Sequence, residues 1–152
     1  MKLTTNDVII RHNFVSKILF KDGDSVLNKD LKIKIMTMRI EYGKIHKAFD
    51  EDVQEFTKGI ISERFKELAQ KEVLTSKEEK EKNTLIEQYN QETNDYISKR
   101  ALNEEEVKEY LFDMEEYSEI METNSSNDVT INEQKISAPD FLEAIYELFV
   151  IK

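Results

Sequence analysis

The sequence predicts an all-α fold: an elongated helical bundle of four or five helices with one long helix, and at most a minor β-hairpin near 129–136. Three observations carry this expectation. Charged residues make up 36% of the 152, with only 3 Gly and 1 Pro, a composition that favours long helices over a strand-rich fold. Apolar residues recur three and four positions apart in most segments. Above all, one stripe runs Leu31, Ile35, Met38, Tyr42, Ile45, Phe49, Val53, Phe56, Ile60 at steps of 4, 3, 4, 3, 4, 4, 3 and 4. Only an α-helix keeps such a series on one side. The pattern slips to Ile61, Phe65 and Leu68, extending the run over 31–68. A straight helix of that length would measure about 57 Å. A compact domain of this size has a radius of gyration of about 15 Å. The helix is therefore expected to break, to project, or to be covered by another chain, which points to a scaffold or assembly protein rather than an enzyme with a cleft.

The elements follow in order. The first helix starts after Thr4, whose hydroxyl caps while Asp7 complements the positive helix end. Val8, Phe14, Val15, Ile18 and Leu19 form its apolar side, and Gly23 after Lys21 suits a left-handed stop. Leu31-Lys32-Ile33-Lys34-Ile35 alternates like a strand, but the continuation through Met38 and Tyr42 favours helix. Gly43 and Gly59 are the expected kink points. Ser76 with Glu79 reads as a capping box opening a polar helix anchored by Leu85, Ile86, Tyr89, Tyr96 and Ile97. Asn103 with Glu106 repeats that signature before a helix carrying Val107, Leu111, Met114, Tyr117 and Met121. Residues 122–128 form a loop. Val129-Thr130-Ile131 and Gln134-Lys135-Ile136 either pair around Asn132-Glu133 or stay extended. Ser137 caps a last amphipathic helix with Pro139 in its first turn. No repeat is visible, and the reading is a single helical domain over 1–152.

Function classes are narrowed mainly by exclusion. With no Cys, disulfides, zinc-thiolate sites and thiol catalysis are ruled out. Val8-Ile9-Ile10 is cut by Arg11 and His12, so no signal peptide is expected, and no apolar run is long enough to span a membrane. His12 and His46 sit in neither a His-x-x-x-His nor a Glu-x-x-His spacing and read as polar surface groups. There is no glycine-rich phosphate loop and no Gly-x-Ser-x-Gly elbow, and Asp22-Gly23-Asp24 lacks the remaining ligands of a calcium loop. The expectation is a protein with no catalytic, cofactor or metal residues.

The net charge of −10 is unevenly placed. Residues 1–50 hold 10 Lys/Arg against 6 Asp/Glu, residues 51–100 hold 9 against 12, and residues 101–152 hold 3 against 14. Nucleic-acid binding by the whole chain is thus disfavoured, because phosphate contacts need clustered cations. Nine acids lie between Glu104 and Glu122 against Lys108 alone. On a helix, Glu105, Glu109, Asp113 and Glu116 share one face. That face is read as a solvated surface, a patch for a basic partner, or a mimic of DNA phosphates. A di-metal carboxylate bundle lacks its Glu-x-x-His ligands. The aromatic and aliphatic anchors Tyr42, Phe49, Phe56, Phe141, Ile145 and Phe149 are expected in the core or at an interface. The segment Phe141–Ile151 is rich enough in large apolar groups to dock into another subunit's groove.

Three stretches carry a resemblance: Val15-Ser16-Lys17-Ile18-Leu19, the run from Leu27 to Ile35, and Arg39-Ile40-Glu41-Tyr42-Gly43-Lys44-Ile45. Together with Asp128–Ile131 and Phe141–Leu148, they resemble an uncharacterised family of small helical proteins encoded among the structural genes of tailed bacteriophages. The resemblance covers about half the chain and leaves Lys71–Thr123 without a counterpart. It implies a phage origin and a role in or beside the virion, and it transfers no site residue. The resulting expectation is a non-enzymatic virion or assembly component, in the virion or host cytoplasm, whose partners are other phage structural proteins or copies of itself. The alternative is an acidic DNA-mimic inhibitor of a host defence nuclease.

Overall fold

A computed structural model of the chain describes residues 1–150. It is mostly helical, as the composition predicts. Packing divides the chain into two compact units, one built from Met1–His46 with the segment from Glu104 onward, the other from Lys47–Asn103. The boundary at residues 46 and 47 falls inside a helix.

The first unit begins with β1 (Lys2–Thr4), which leads directly into α1 (Thr5–Val15). Thr4 and Asp7 form the expected reciprocal cap. The helix stops at Ser16, well before Gly23. Arg39 donates to the carbonyls of Val15 and Ile18 at 3.1 and 2.6 Å, taking acceptors that further helical turns would use. Residues 21–26 instead form a hairpin, β2 (Lys21–Asp22) with β3 (Ser25–Val26), and Gly23 supplies the left-handed residue of its turn at φ 61°.

Helix α2 (Lys29–Ile60) is the long helix, and it runs without interruption through Gly43. In the first unit it buries Leu31, Ile35, Met38 and Tyr42 completely. The stripe over 31–68 breaks at Ile61-Ser62, where Ser62 caps α3 (Glu63–Gln70) by accepting from the Phe65 N–H at 3.2 Å. This break raises the helix count among the described residues to six rather than four or five.

In the second unit α4 (Ser76–Arg100) is capped by Thr75 with Glu78, one residue earlier than the Ser76/Glu79 box expected. Phe56 stacks on Tyr96 at 4.2 Å, and Phe65 meets Tyr89 edge-on at 5.4 Å. The Tyr89 hydroxyl accepts from the Ser62 N–H at 3.0 Å. Leu68 is the one fully buried apolar side chain here, and α4 buries none completely.

The expected helix from Asn103 does not form. Glu104–Glu106 is a strand, β4, antiparallel to β1 with Lys2 opposite Glu106. The ladder continues with the Val107 N–H donating to the Met1 carbonyl at 2.9 Å. Further on, the Phe112 N–H donates to the Phe149 carbonyl at 2.6 Å, and the Phe112 ring is fully buried. Backbone pairing with distant partners and burial of Phe112 outweigh a local capping signal of about 1 kcal/mol. Helix α5 (Met114–Asn124) starts only at Asp113, capped reciprocally with Glu116.

The small hairpin is present: β5 (Val129–Ile131) pairs with β6 (Gln134–Ile136). Asn132 and Glu133 both have positive φ, 51° and 66°, as a two-residue type I′ turn requires. Ser137 caps α6 (Ala138–Phe149), with Pro139 in its first turn. The core of this unit gathers α1, the start of α2, α5 and α6 around Tyr42, Phe112, Phe141, Ile145 and Phe149.

Candidate functional site

The predicted anchors separate by unit. Tyr42, Phe141, Ile145 and Phe149 are fully buried in the first unit. The apolar side of α6 therefore packs into its own core, not into a groove of another subunit. Ile151, the last apolar residue of that segment, lies outside the described residues. Phe49 and Phe56 are half-buried in the second unit, Phe49 under the Arg100 guanidinium at 5.8 Å.

The predicted acidic face is dispersed, because β4 and the extended chain after it replace the helix. Glu105 lies on β4 and accepts from the Thr5 hydroxyl at 2.8 Å. Glu109 is exposed in extended chain. Asp113 and Glu116 cap each other at the start of α5, and Glu116 also pairs with Lys34 at 3.0 Å. Lys34 donates in addition to the Leu111 carbonyl. Two of the four acids are thus spent on an N-cap and a half-buried ion pair.

The two histidines form the feature that spacing alone does not reveal. They are not separate surface groups: Nδ1 of His12 lies 2.7 Å from Nδ1 of His46, the rings meeting at 84°. At that distance one nitrogen carries the proton and the other offers its lone pair. Gly43 makes room for the pair, since a Cβ there would stand 3.1 Å from His12 Nε2. The pair joins α1 to α2, and among the described residues no group of three or more His, Cys, Asp or Glu is placed to hold a metal ion.

Around the core end of α2, Arg11 donates to the Leu148 carbonyl at 3.0 Å and lies over the Phe149 ring at 5.2 Å. The Tyr42 hydroxyl is buried beside the Arg11 guanidinium. Burial raises the Tyr42 pKa, and the positive Arg11 partly opposes the rise. Tyr110 is pushed up to about 12 by burial first and then by Glu41. Tyr42 meets Tyr110 edge-on at 6.2 Å and stacks on Phe149 at 6.4 Å, so the cluster packs the core end of α2 against α6.

One surface stands apart from all of this. On α2, opposite the buried face, Ile33, Met36 and Ile40 are 52%, 50% and 57% exposed. Their steps of 3 and 4 put them in one row, and exposed Lys29 and Lys44 continue it at either end. The alternation Leu31-Ile33-Ile35 already carried the signal. Two helical steps turn a side chain by about 200°, so Ile33 must face away from Leu31. Among the described residues no helix is long and apolar enough to cross a membrane, so this row does not belong to a membrane-spanning helix. No family model, curated protein or solved structure matches the chain.

Proposed function

We propose that the chain is a non-enzymatic bacteriophage virion or assembly component. It works through helix-mediated contacts with other phage structural proteins or with copies of itself, in the virion or the host cytoplasm. The observation that carries the reading is the row Ile33–Met36–Ile40 on α2. Single exposed apolar residues are ordinary, but three in register on one helical face form a contiguous patch of the kind that marks a contact surface. The phage assignment comes from the sequence resemblance, which includes this part of α2. The alternative, an acidic DNA mimic, requires acids spaced along one helical face. Glu105 on a strand and Glu116 paired with Lys34 leave the expected face, and the acids that still share one helical face are Glu115, Glu119 and Glu122 on α5.

Mass spectrometry of purified particles of the encoding phage tests the proposal. Peptides of this chain in the particle are the expected result. Their absence from a preparation in which minor proteins are detected overturns the virion role and leaves a factor that acts only during assembly or an inhibitor.

A further inference from the structure

Helix α5 carries a second exposed row that the core does not use. Met114 and Met121 are 55% and 36% exposed, with Ser118 exposed between them. Glu115 and Glu122, each one position on from a methionine, flank this row about 100° round the helix, both exposed. The α2 row is apolar with lysines at its ends, and the α5 row is apolar with glutamates beside it. None of Lys29, Lys44, Glu115 and Glu122 forms an ion pair among the described residues. We infer that the α2 row of one copy docks on the α5 row of a second copy of this chain.

The dimensions agree. Ile33 to Ile40 and Met114 to Met121 are each seven residues, about 10.5 Å along a helix. Lys29 and Lys44 are about 22 Å apart along the axis, and lysine stems folding inward by about 6 Å each bring their charges to the roughly 10.5 Å separation of the two glutamates. The docked helices bury five apolar side chains and pair four otherwise unpaired charges, so both the apolar and the electrostatic patterns are complementary. The two rows are different surfaces, so the contact is heterologous, and copies joined this way build rings or open chains unless a two-fold arrangement closes them. This inference rests on the proposed assembly role and names the partner of the α2 face.

Sedimentation of the full chain over a wide concentration range at low salt tests it. The weight-average mass is expected to rise with concentration, and added salt, which screens exposed charges, is expected to weaken the association. Ile40→Glu and Met114→Glu, both at exposed positions, are each expected to weaken self-association at least tenfold. An equimolar mixture of the two variants is expected to recover a dimer, because one intact α2 row then meets one intact α5 row. A wild-type chain that is monomeric throughout overturns the inference and assigns the α2 face to a different protein. Mixed variants that stay monomeric, or variants that associate as wild type does, also overturn it. The proposed function is read separately, from the content of the particle.

Discussion

Asn124 offers the sharpest quantitative test of the packing in the first unit. It is fully buried at the end of α5. Its Oδ1 accepts from the Leu19 N–H at 2.8 Å and from Asn127 Nδ2 at 2.9 Å. Its Nδ2 donates to the carbonyls of Leu19 and Ile120 at 3.2 and 2.9 Å. The side chain thus ties the segment after α1 to α5 and supplies partners for backbone groups that α1 leaves open when it ends at Ser16. Asn124→Ala removes all four bonds. At about 1 kcal/mol for each of the bonds to Leu19, with a further penalty for stranding a half-buried N–H, the expected loss is about 3 kcal/mol. Domains are stable by only about 5–15 kcal/mol, so such a loss is large. Asn127→Ala, at a half-buried position, should cost no more than about 1 kcal/mol. Urea unfolding of both variants, followed by circular dichroism and by hydrogen exchange of α1 and α5 amides, measures the difference. A cost below about 1 kcal/mol for Asn124→Ala would refute the reasoning that this network holds the two segments together.

Three further outcomes are expected. Glu78 is held down at about 2 by its hydrogen bond from Lys71 and then by the Thr75 N–H, against an ordinary value of 4.5. Its folded pKa is depressed, so its contribution is complete above pH 4.5 and is lost as pH falls toward 2. Amide NMR should show the start of α4 loosening over that interval, and Glu78→Gln should abolish this acid response; an unchanged response excludes the cap as its source. Gly59→Ala, with open space at the Cβ position, should stabilise α2 by up to about 1 kcal/mol. Gly43→Ala should lose that gain against His12 and shift the ring-nitrogen NMR signals of the histidine pair. Equal stabilisation by the two substitutions would show that Gly43 is not needed for the close approach. Finally, amides of α3 and α4 should exchange at lower opening free energy than those of α1, α5 and α6, because the second unit buries only Leu68 completely. Uniform protection would contradict the division into two units.

The parts of the fold legible in the sequence are those decided within a few residues. Thr4 with Asp7, Ser137 before Pro139, and the turn at Asn132-Glu133 each satisfy backbone groups no more than about one turn away. The helical stripe through Tyr42 is legible for the same reason, since period alone identifies it. Residues 104–113 were not. Asn103 and Glu106 look like a cap, but β1 offers a ladder from a hundred positions away, and Phe112 gains more by burial against Phe149. The contact between Asn124 and Leu19 and the pairing of His12 with His46 join distant segments and have no local signature. The dispersal of Glu105, Glu109, Asp113 and Glu116 follows directly from the missing helix. The exposed α2 row was partly legible, because Ile33 alternates with Leu31 and Ile35, yet only the packing shows which of the two faces is left uncovered.

The central claim is that the protein works through the exposed face of α2, and the most direct measurement is complementation. A phage lacking the gene is supplied with the wild-type chain or with Ile33→Glu/Ile40→Glu, whose positions are 52% and 57% exposed and contribute little to the core. The account predicts that the variant matches the wild type in circular dichroism and thermal unfolding yet fails to restore infectious particles. Full restoration of plaque formation by that variant would contradict it.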